Sequence, residues 1–460
     1  MPMISVSTAK QERYADRDVF ALSERNLGRS DREAKTLPFA KQIWVTHMTS
    51  VSTAKQERYT NYYTKRGHDM NMVKLERITD MLKEQVNGGA VKGAAACVLK
   101  DGQPIYKACC GMADEARGIK WTEDTIVRLY SMTKPITAAA AMILMDRGQL
   151  DLQDKVSWFI PGFKDQKVLT DEGIVPAKAE VTIKHLLDMT SGLCYSDDWF
   201  PAGAEMSKLY AKLEAEYKAG NPSDTLTYAN LIGQQPLAFH PGEKWLYGTS
   251  ADVLGAVIEV ISGKKLGDFL KEELFEPLGM VDTDFYVPEE KLCRFAENYE
   301  PKDDKLVPCE WQHLGLTYLC RKPPEFQSGG AGLCSTMNDY AAFATMLMNK
   351  GRYNGRRILS ENAVRYLTSP QLTDKQQSMI DWESMAGFNY GNLMRICKDE
   401  RDGAGISTFK GEYGWDGWLG CFFANDPQNG YTFLYFIQRC GGLGQRPIRM
   451  IKQIVYGAED

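Results

Sequence analysis

Residues 128–150 read Arg-Leu-Tyr-Ser-Met-Thr-Lys-Pro-Ile-Thr-Ala-Ala-Ala-Ala-Met-Ile-Leu-Met-Asp-Arg-Gly-Gln-Leu, and no other stretch restricts the fold as much. Ala138 to Ala141 are strong helix formers. Ile136, Ala140, Ile143 and Leu144 recur at helical spacing, which predicts a buried helix. Pro135 is tolerated near a helix start, and Gly148 suits a C-terminal stop. Ser131 and Lys134 then fall in or beside the first turn, on one face. A serine hydroxyl is a poor nucleophile until a base takes its proton. A lysine desolvated by apolar neighbours has a lowered pKa and can be that base. The helix N-terminus favours the negative charge that develops there. Ser-x-x-Lys by itself is more often a capping serine with a solvated lysine, so its company decides.

The chain has 460 residues, enough for a large core and more than one lobe. Its 55 basic and 60 acidic residues give a net charge of −5, which predicts no nucleic-acid partner and no anionic membrane surface. No apolar run approaches transmembrane length, and no signal-peptide core opens the sequence. The eleven cysteines are scattered, with Cys109-Cys110 the one close pair and no C-x-x-C. They read as reduced thiols of a cytoplasmic protein. No His or Cys stands at ligand spacing, so neither metal nor cofactor is expected. Oligomeric state is not fixed by any of these features.

Residues 1–72 form a polar extension in which Ser5 to Tyr14 recurs unchanged as Ser50 to Tyr59. Two copies make no solenoid; a duplicated coding segment or an upstream start, without catalytic groups, is expected ahead of the alternative, an extension that packs on the catalytic body or a partner. From Val73, Leu75, Ile78, Met81 and Leu82 mark an amphipathic helix ending near Gly88-Gly89. Residues 95–100 and 105–110 flank the turn 101–104 as a β-hairpin. Helices are predicted at 253–261, closed by Gly263, and at 266–274, stopped by Pro277 and Gly279. Residues 300–328 read as a long loop, and Ser328-Gly329-Gly330-Ala331-Gly332 as a tight turn for close backbone packing. Thr336 with Asp339 resembles a capping box before a helix to Met348. Strands are predicted at 388–397, 418–423 and 431–438, and a last helix follows Pro447. The class is therefore α+β. One antiparallel sheet is built from both chain ends and flanked by the N- and C-terminal helices, with an inserted helical lobe. The sheet lobe takes 73–140 and 330–460, and the helical lobe 141–329.

Three segments align with this plan: Ser131-Met132-Thr133-Lys134; Pro241 to Asp252, with Tyr247-Gly248-Thr249 just before a helix; and Gly414-Trp415-Asp416-Gly417-Trp418. In order and interval they resemble the serine β-lactamase and DD-peptidase superfamily. Within it the chain looks most like the class C branch and the family VIII carboxylesterases, over residues 73–456. His185 to Leu193, Phe275 to Met280 and Ser328 to Thr336 are also similar to that branch. The resemblance implies an acyl-enzyme on Ser131, with Lys134 as base or relay and Tyr247 as proton carrier. Trp415, Asp416 and Gly417 would hold the Lys-Thr-Gly strand position. The backbone N–H groups of Ser131 and Trp418 would form the oxyanion hole, where a donor contributes about 3 kcal/mol. Thr249 stands where β-lactamases carry an asparagine that binds the substrate amide, and Trp415 where they carry a lysine that attracts the β-lactam carboxylate, so the resemblance implies that Trp415, Asp416, Gly417 and Thr249 contact the substrate. An apolar wall in place of a cation favours a neutral small-molecule ester over an acidic substrate. The rivals are a weak β-lactamase, a D-amino-acid peptidase or amidase, and an inactive binding protein on the same fold. His185 reads as a capping or structural residue. His47, His68, His240 and His313 are isolated, and no Gly-x-Ser-x-Gly elbow exists. Exposure to a fluorophosphonate should leave one covalent adduct, and Ser131→Ala should abolish it. Intact-mass spectrometry reads this directly, and an adduct on another serine would displace the assignment.

Overall fold

The computed structural model describes residues 70–459 except 197–199, 310–313, 317–319 and 402–405. The chain divides into two units, Met1–Lys65 and Arg66–Asp460. The first, with its duplicated decapeptide, lies outside the described residues.

Helix α1, Met72–Asn87, buries Leu75, Ile78, Met81 and Leu82, the four positions set by its period. Strands β1 (Gly93–Lys100), β2 (Gln103–Asp114) and β3 (Ile119–Lys120) follow. Five more come from the end of the chain: β4 (Phe388–Gly391), β5 (Met394–Cys397), β6 (Tyr413–Asp416), β7 (Phe422–Asp426) and β8 (Tyr431–Ile437). Together they form an eight-stranded sheet in the order β4-β5-β6-β7-β8-β1-β2-β3. The pairing is antiparallel throughout, and the two chain ends meet where Ala94 to Lys100 face Ile437 to Tyr431. The α+β class and the sheet built from both ends are thus observed.

Strands β1 and β8 are buried at every position, which explains why they read as apolar runs without alternation. Consecutive strand residues point to opposite faces. Tyr435 reaches Gln85 of α1 at 2.8 Å, whereas Phe436 meets the ring of Tyr340 in α4, Met337–Met348. Helices therefore cover both faces. Between these ends lie α2 (Thr133–Asp146) and α3 (Ser250–Ser262), which pack together in the core. Gly263 closes α3 in the left-handed conformation at φ +68°. Thr336 caps α4 by accepting the Asp339 N–H at 3.1 Å. The last helix, α5 (Arg446–Tyr456), packs on α1.

Two expectations fail for one reason. The single strand over 388–397 is the hairpin β4–β5, turned at Asn392 (φ +51°) and Leu393 (φ +64°). The loop over 300–328 contains a hairpin, Tyr299–Lys302 with Lys305–Pro308, turned at Asp303 (φ +47°) and Asp304 (φ +59°). Both tight turns put two consecutive non-glycine residues in the left-handed region, so the glycine that normally signals such a turn is missing. At 392–393 tertiary bonds compensate: Leu393 N–H donates to Leu187 O at 2.8 Å, and Asn392 Nδ2 to Tyr366 O at 2.8 Å. Two boundaries also differ. The strand expected at 418–423 starts at Phe422, leaving Trp418 in the preceding turn. Pro277 does not stop its helix: Leu266–Leu270 continues through a π turn, Lys271–Phe275, to Leu278, and Gly279 ends it.

The start of the described body is tied to its end. Met70 bridges Glu459, Asn71 N–H donates to Ala458 O at 2.8 Å, and Asn71 Oδ1 caps α1 by accepting the Lys74 N–H at 3.1 Å. A protein beginning at Met72 loses all three contacts. Urea denaturation should find it less stable than one beginning at Met70 by about 1 kcal/mol or more, the usual worth of an N-cap, with the rate of labelling by a fluorophosphonate the same in both.

Candidate active site

Ser131 sits one step outside the expected helix, in the 3₁₀ turn Tyr130–Met132 that runs into α2. Tyr130 holds φ +47°, a conformation costly for an aromatic residue. Its neighbours hold it there. Leu129 N–H donates to Leu333 O at 2.9 Å, and Tyr340 Oη to Met132 O at 2.9 Å. The result is a half-buried Ser131 side chain beside a fully buried Lys134.

Lys134 Nζ lies 3.2 Å from Ser131 Oγ, 3.1 Å from Tyr195 Oη and 2.9 Å from Gly330 O. It also stands 4.6 Å from the ring centroid of Tyr247. Burial lowers its pKa from 10.5 to about 7, and the Asp252 charge works in the opposite direction. Burial pushes the Tyr247 hydroxyl well above its usual range, while hydrogen bonds with Ser131 and Trp415 pull it back. Trp415 Nε1–H donates to Tyr247 Oη at 3.0 Å. At neutral pH the lysine can therefore be an unprotonated base, and the tyrosine stays a phenol.

The glycine loop explains how a lysine finds an acceptor in a dry interior. Gly330 N–H and Ser328 Oγ–H donate to Asp252 Oδ1 at 3.0 and 2.5 Å, and Thr137 Oγ1–H donates to Gly329 O at 2.7 Å. A Cβ on Gly329 would meet Ala251 O at 2.4 Å. The loop is clamped between α2 and α3, as close backbone packing requires.

On the other side of Ser131, a cavity of about 240 Å³ is lined by Ser131, Tyr247, Trp382, Trp415, Asp416 and Trp418, among others. Gly417 lies so close to the serine turn that a Cβ there would stand 2.1 Å from Leu129 O. Trp245, Tyr247, Trp382, Tyr390 and Trp415 form one aromatic cluster, with centroids 5.1–6.2 Å apart between touching rings. Asp416 does not simply face solvent: Arg395 Nη1 donates to its Oδ1 at 2.7 Å. Arg395 lies beneath Trp415, 5.4 Å from a ring centroid, and among the described residues no lysine or arginine lines the cavity.

The structure thus gathers Ser131, Lys134, Tyr247, Trp415, Asp416, Gly417 and Trp418. It leaves Thr249 apart: that side chain is fully buried, does not line the cavity, and its Oγ1 has no hydrogen-bond partner among the described residues. His185 completes a capping box, its Nδ1 accepting the Thr182 N–H at 3.2 Å. Burial lowers its pKa to about 4. Sequence reasoning missed Tyr195, Asp252, Gly330, Trp382 and Arg395. Asp252 ends the tyrosine segment and Gly330 sits in the glycine loop, so both lay within recognised motifs. Arg395 carried no local signal.

The Beta-lactamase family profile matches residues 78–452. Protein Rv1367c of Mycobacterium tuberculosis is 31% identical over 376 residues, spanning 79% of this chain and 89% of its own length. Esterase EstB of Burkholderia gladioli is 31% identical over 343 residues, spanning 71% and 81%. Among solved structures, EstCE1, described as a hydrolase with promiscuous acyltransferase activity, aligns with a TM-score of 0.70 at 22% identity. That alignment covers 84% of this chain and 99% of the other, and it shows a shared fold.

A reaction that needs the neutral Lys134 amine has a defined pH dependence. Below its pKa the amine is protonated and idle. The logarithm of kcat/KM for an uncharged substrate should therefore climb with pH and level off above about 7. A plateau reached only near the ordinary lysine value would mean that burial does not hold in solution.

Proposed function

The chain belongs to the beta-lactamase family, and on that premise we propose that it is a serine carboxylesterase of the family VIII kind, cleaving short-chain acyl esters. One observation carries the reading: Ser131 Oγ lies 3.2 Å from the amine of a fully buried lysine whose pKa is lowered to about 7. Neutral Lys134 takes the Ser131 proton as Oγ bonds to the ester carbonyl carbon. The backbone N–H groups of Ser131 and Trp418 receive the oxyanion. The C–O bond to the alcohol then breaks, and Tyr247, recharged by Lys134, delivers the proton to the departing oxygen. Water repeats the sequence on the acyl-enzyme and releases the acid, restoring Ser131.

The choice of ester rests on the cavity. Its walls include Tyr247, Trp382, Trp415, Trp418, Phe422 and Tyr435, and among the described residues no lysine or arginine lines it to meet a substrate carboxylate. An anion placed there would lose water without gaining a partner. A neutral acyl or alcohol group would pack on the Trp415 indole. The name of the esterase relative agrees with this reading. Short-chain p-nitrophenyl esters should be turned over far faster than benzylpenicillin. Trp415→Lys should narrow that gap. If the wild-type protein hydrolyses benzylpenicillin as efficiently as its best ester, the proposal falls and a β-lactamase takes its place.

A further inference from the structure

Asp252 is a carboxylate in the first turn of α3, 6% exposed. A buried carboxylate is costly unless it is hydrogen-bonded and faces a cation. Its Oδ1 accepts from Gly330 N–H and Ser328 Oγ–H, and Ser328 Oγ in turn accepts from Ala331 N–H at 2.9 Å. The carbonyl of the same Gly330 accepts from Lys134 Nζ. One residue of backbone therefore separates the carboxylate from the amine. A Cβ on Gly330 would fall 3.0–3.2 Å from the Asp252 carboxyl atoms, so a side chain there would press on the carboxylate and require it to give by a few tenths of an ångström.

The other groups around Lys134 carry no charge at neutral pH. Ser131 is on its own turn. Tyr195 and Tyr247 contribute phenols that burial holds neutral. Tyr210 and Tyr228, which feel Asp252, are likewise held neutral by burial. Asp416, beyond Tyr247, is paired with Arg395. Asp252 and Lys134 are the remaining ionisable pair of this interior among the described residues.

We propose that Asp252 is a positioning residue for Lys134, holding the glycine loop so that the Gly330 carbonyl meets Nζ and supplying the buried negative charge that the protonated amine needs. This rests on the reading of Lys134 as the base. The carboxylate offsets part of the desolvation of the lysine. Without that charge the amine would titrate lower still, and as a weaker base it would take the serine proton less readily. Asp252 touches neither substrate nor the serine; it acts through the loop and through its field.

Asp252→Asn keeps an acceptor oxygen for Gly330 and Ser328 and removes only the charge. The midpoint of the acidic limb of kcat/KM, and of the rate of Ser131 labelling by an uncharged fluorophosphonate, should move to lower pH by about 1 unit or more. Asp252→Ala, which also releases the loop, should lose more of kcat than Asp252→Asn. If Asp252→Asn does not fold, Gly330→Ala reads the same link, because its methyl would press on the Asp252 carboxyl group and loosen its hold on the loop; its limb should also move down. A folded variant with reduced kcat and an unmoved limb would give Asp252 a merely structural role and overturn the inference. The wild-type protein separates this from failure of the underlying reading. If wild-type labelling is Ser131-dependent but shows no limb near pH 7, Lys134 is not the base. If that limb is present and only its response to Asp252 is missing, the inference alone fails.

Discussion

The site depends on an ammonium group placed where water cannot reach it. Moving a lysine from its ordinary 10.5 to about 7 corresponds to roughly 5 kcal/mol of difference between its charged and neutral forms. A single domain has only about 5–15 kcal/mol of net stability, so such a group persists only where the surroundings are built for it. Here α2 is buried on every side from Thr133 to Leu144. The alanine run Ala138 to Ala141 lets α3 approach closely, and α3 brings Asp252. The helix that looked most like plain core is thus what makes the lysine chemically unusual.

Close backbone approach does the rest. Gly329 meets α3 and Gly417 meets the serine turn at distances that exclude a Cβ. Both bring main-chain groups to the two sides of Ser131: an acceptor carbonyl next to Gly329 for Lys134, and the 416–418 backbone along the cavity. The strained Tyr130 fits the same account. A left-handed residue before Ser131 turns the chain abruptly into α2, and the bonds of Leu129 and Met132 to other elements hold the turn.

Much of this was legible in the sequence because the signals were local. The four apolar positions of α1, the cap at Thr336, the stop at Gly263 and the three motif segments each depend on a few neighbouring residues. What escaped was non-local. Asn392-Leu393 and Asp303-Asp304 turn without glycine because distant packing or sheet pairing outweighs backbone preference. Tyr195 is 61 positions from Lys134, Gly330 is 196, and Arg395 is 21 from Asp416. Periodicity and turn chemistry carry no information about which side chains meet across such separations. Thr249 shows the converse: its place in a motif suggested a substrate contact, and the fold turned it into the core.

The charges at this site are arranged so that none faces the substrate unopposed. Arg395 sits under the Trp415 strand and is only 3% exposed at its side chain, so its field would reach the cavity if it stood alone. Asp416 cancels it at 2.7 Å from the cavity side. Lys134 and Asp252 form the other pair, behind the serine. Trp415 therefore does more than fill space on this strand. The indole covers Arg395 and also donates to Tyr247 Oη. It orients the Tyr247 hydroxyl while adding apolar surface to the cavity. Holding the Tyr247 hydroxyl and walling the cavity are, at this position, done by one side chain. On the proposed reading, a preference for a neutral substrate follows from the same geometry that holds Tyr247 in place.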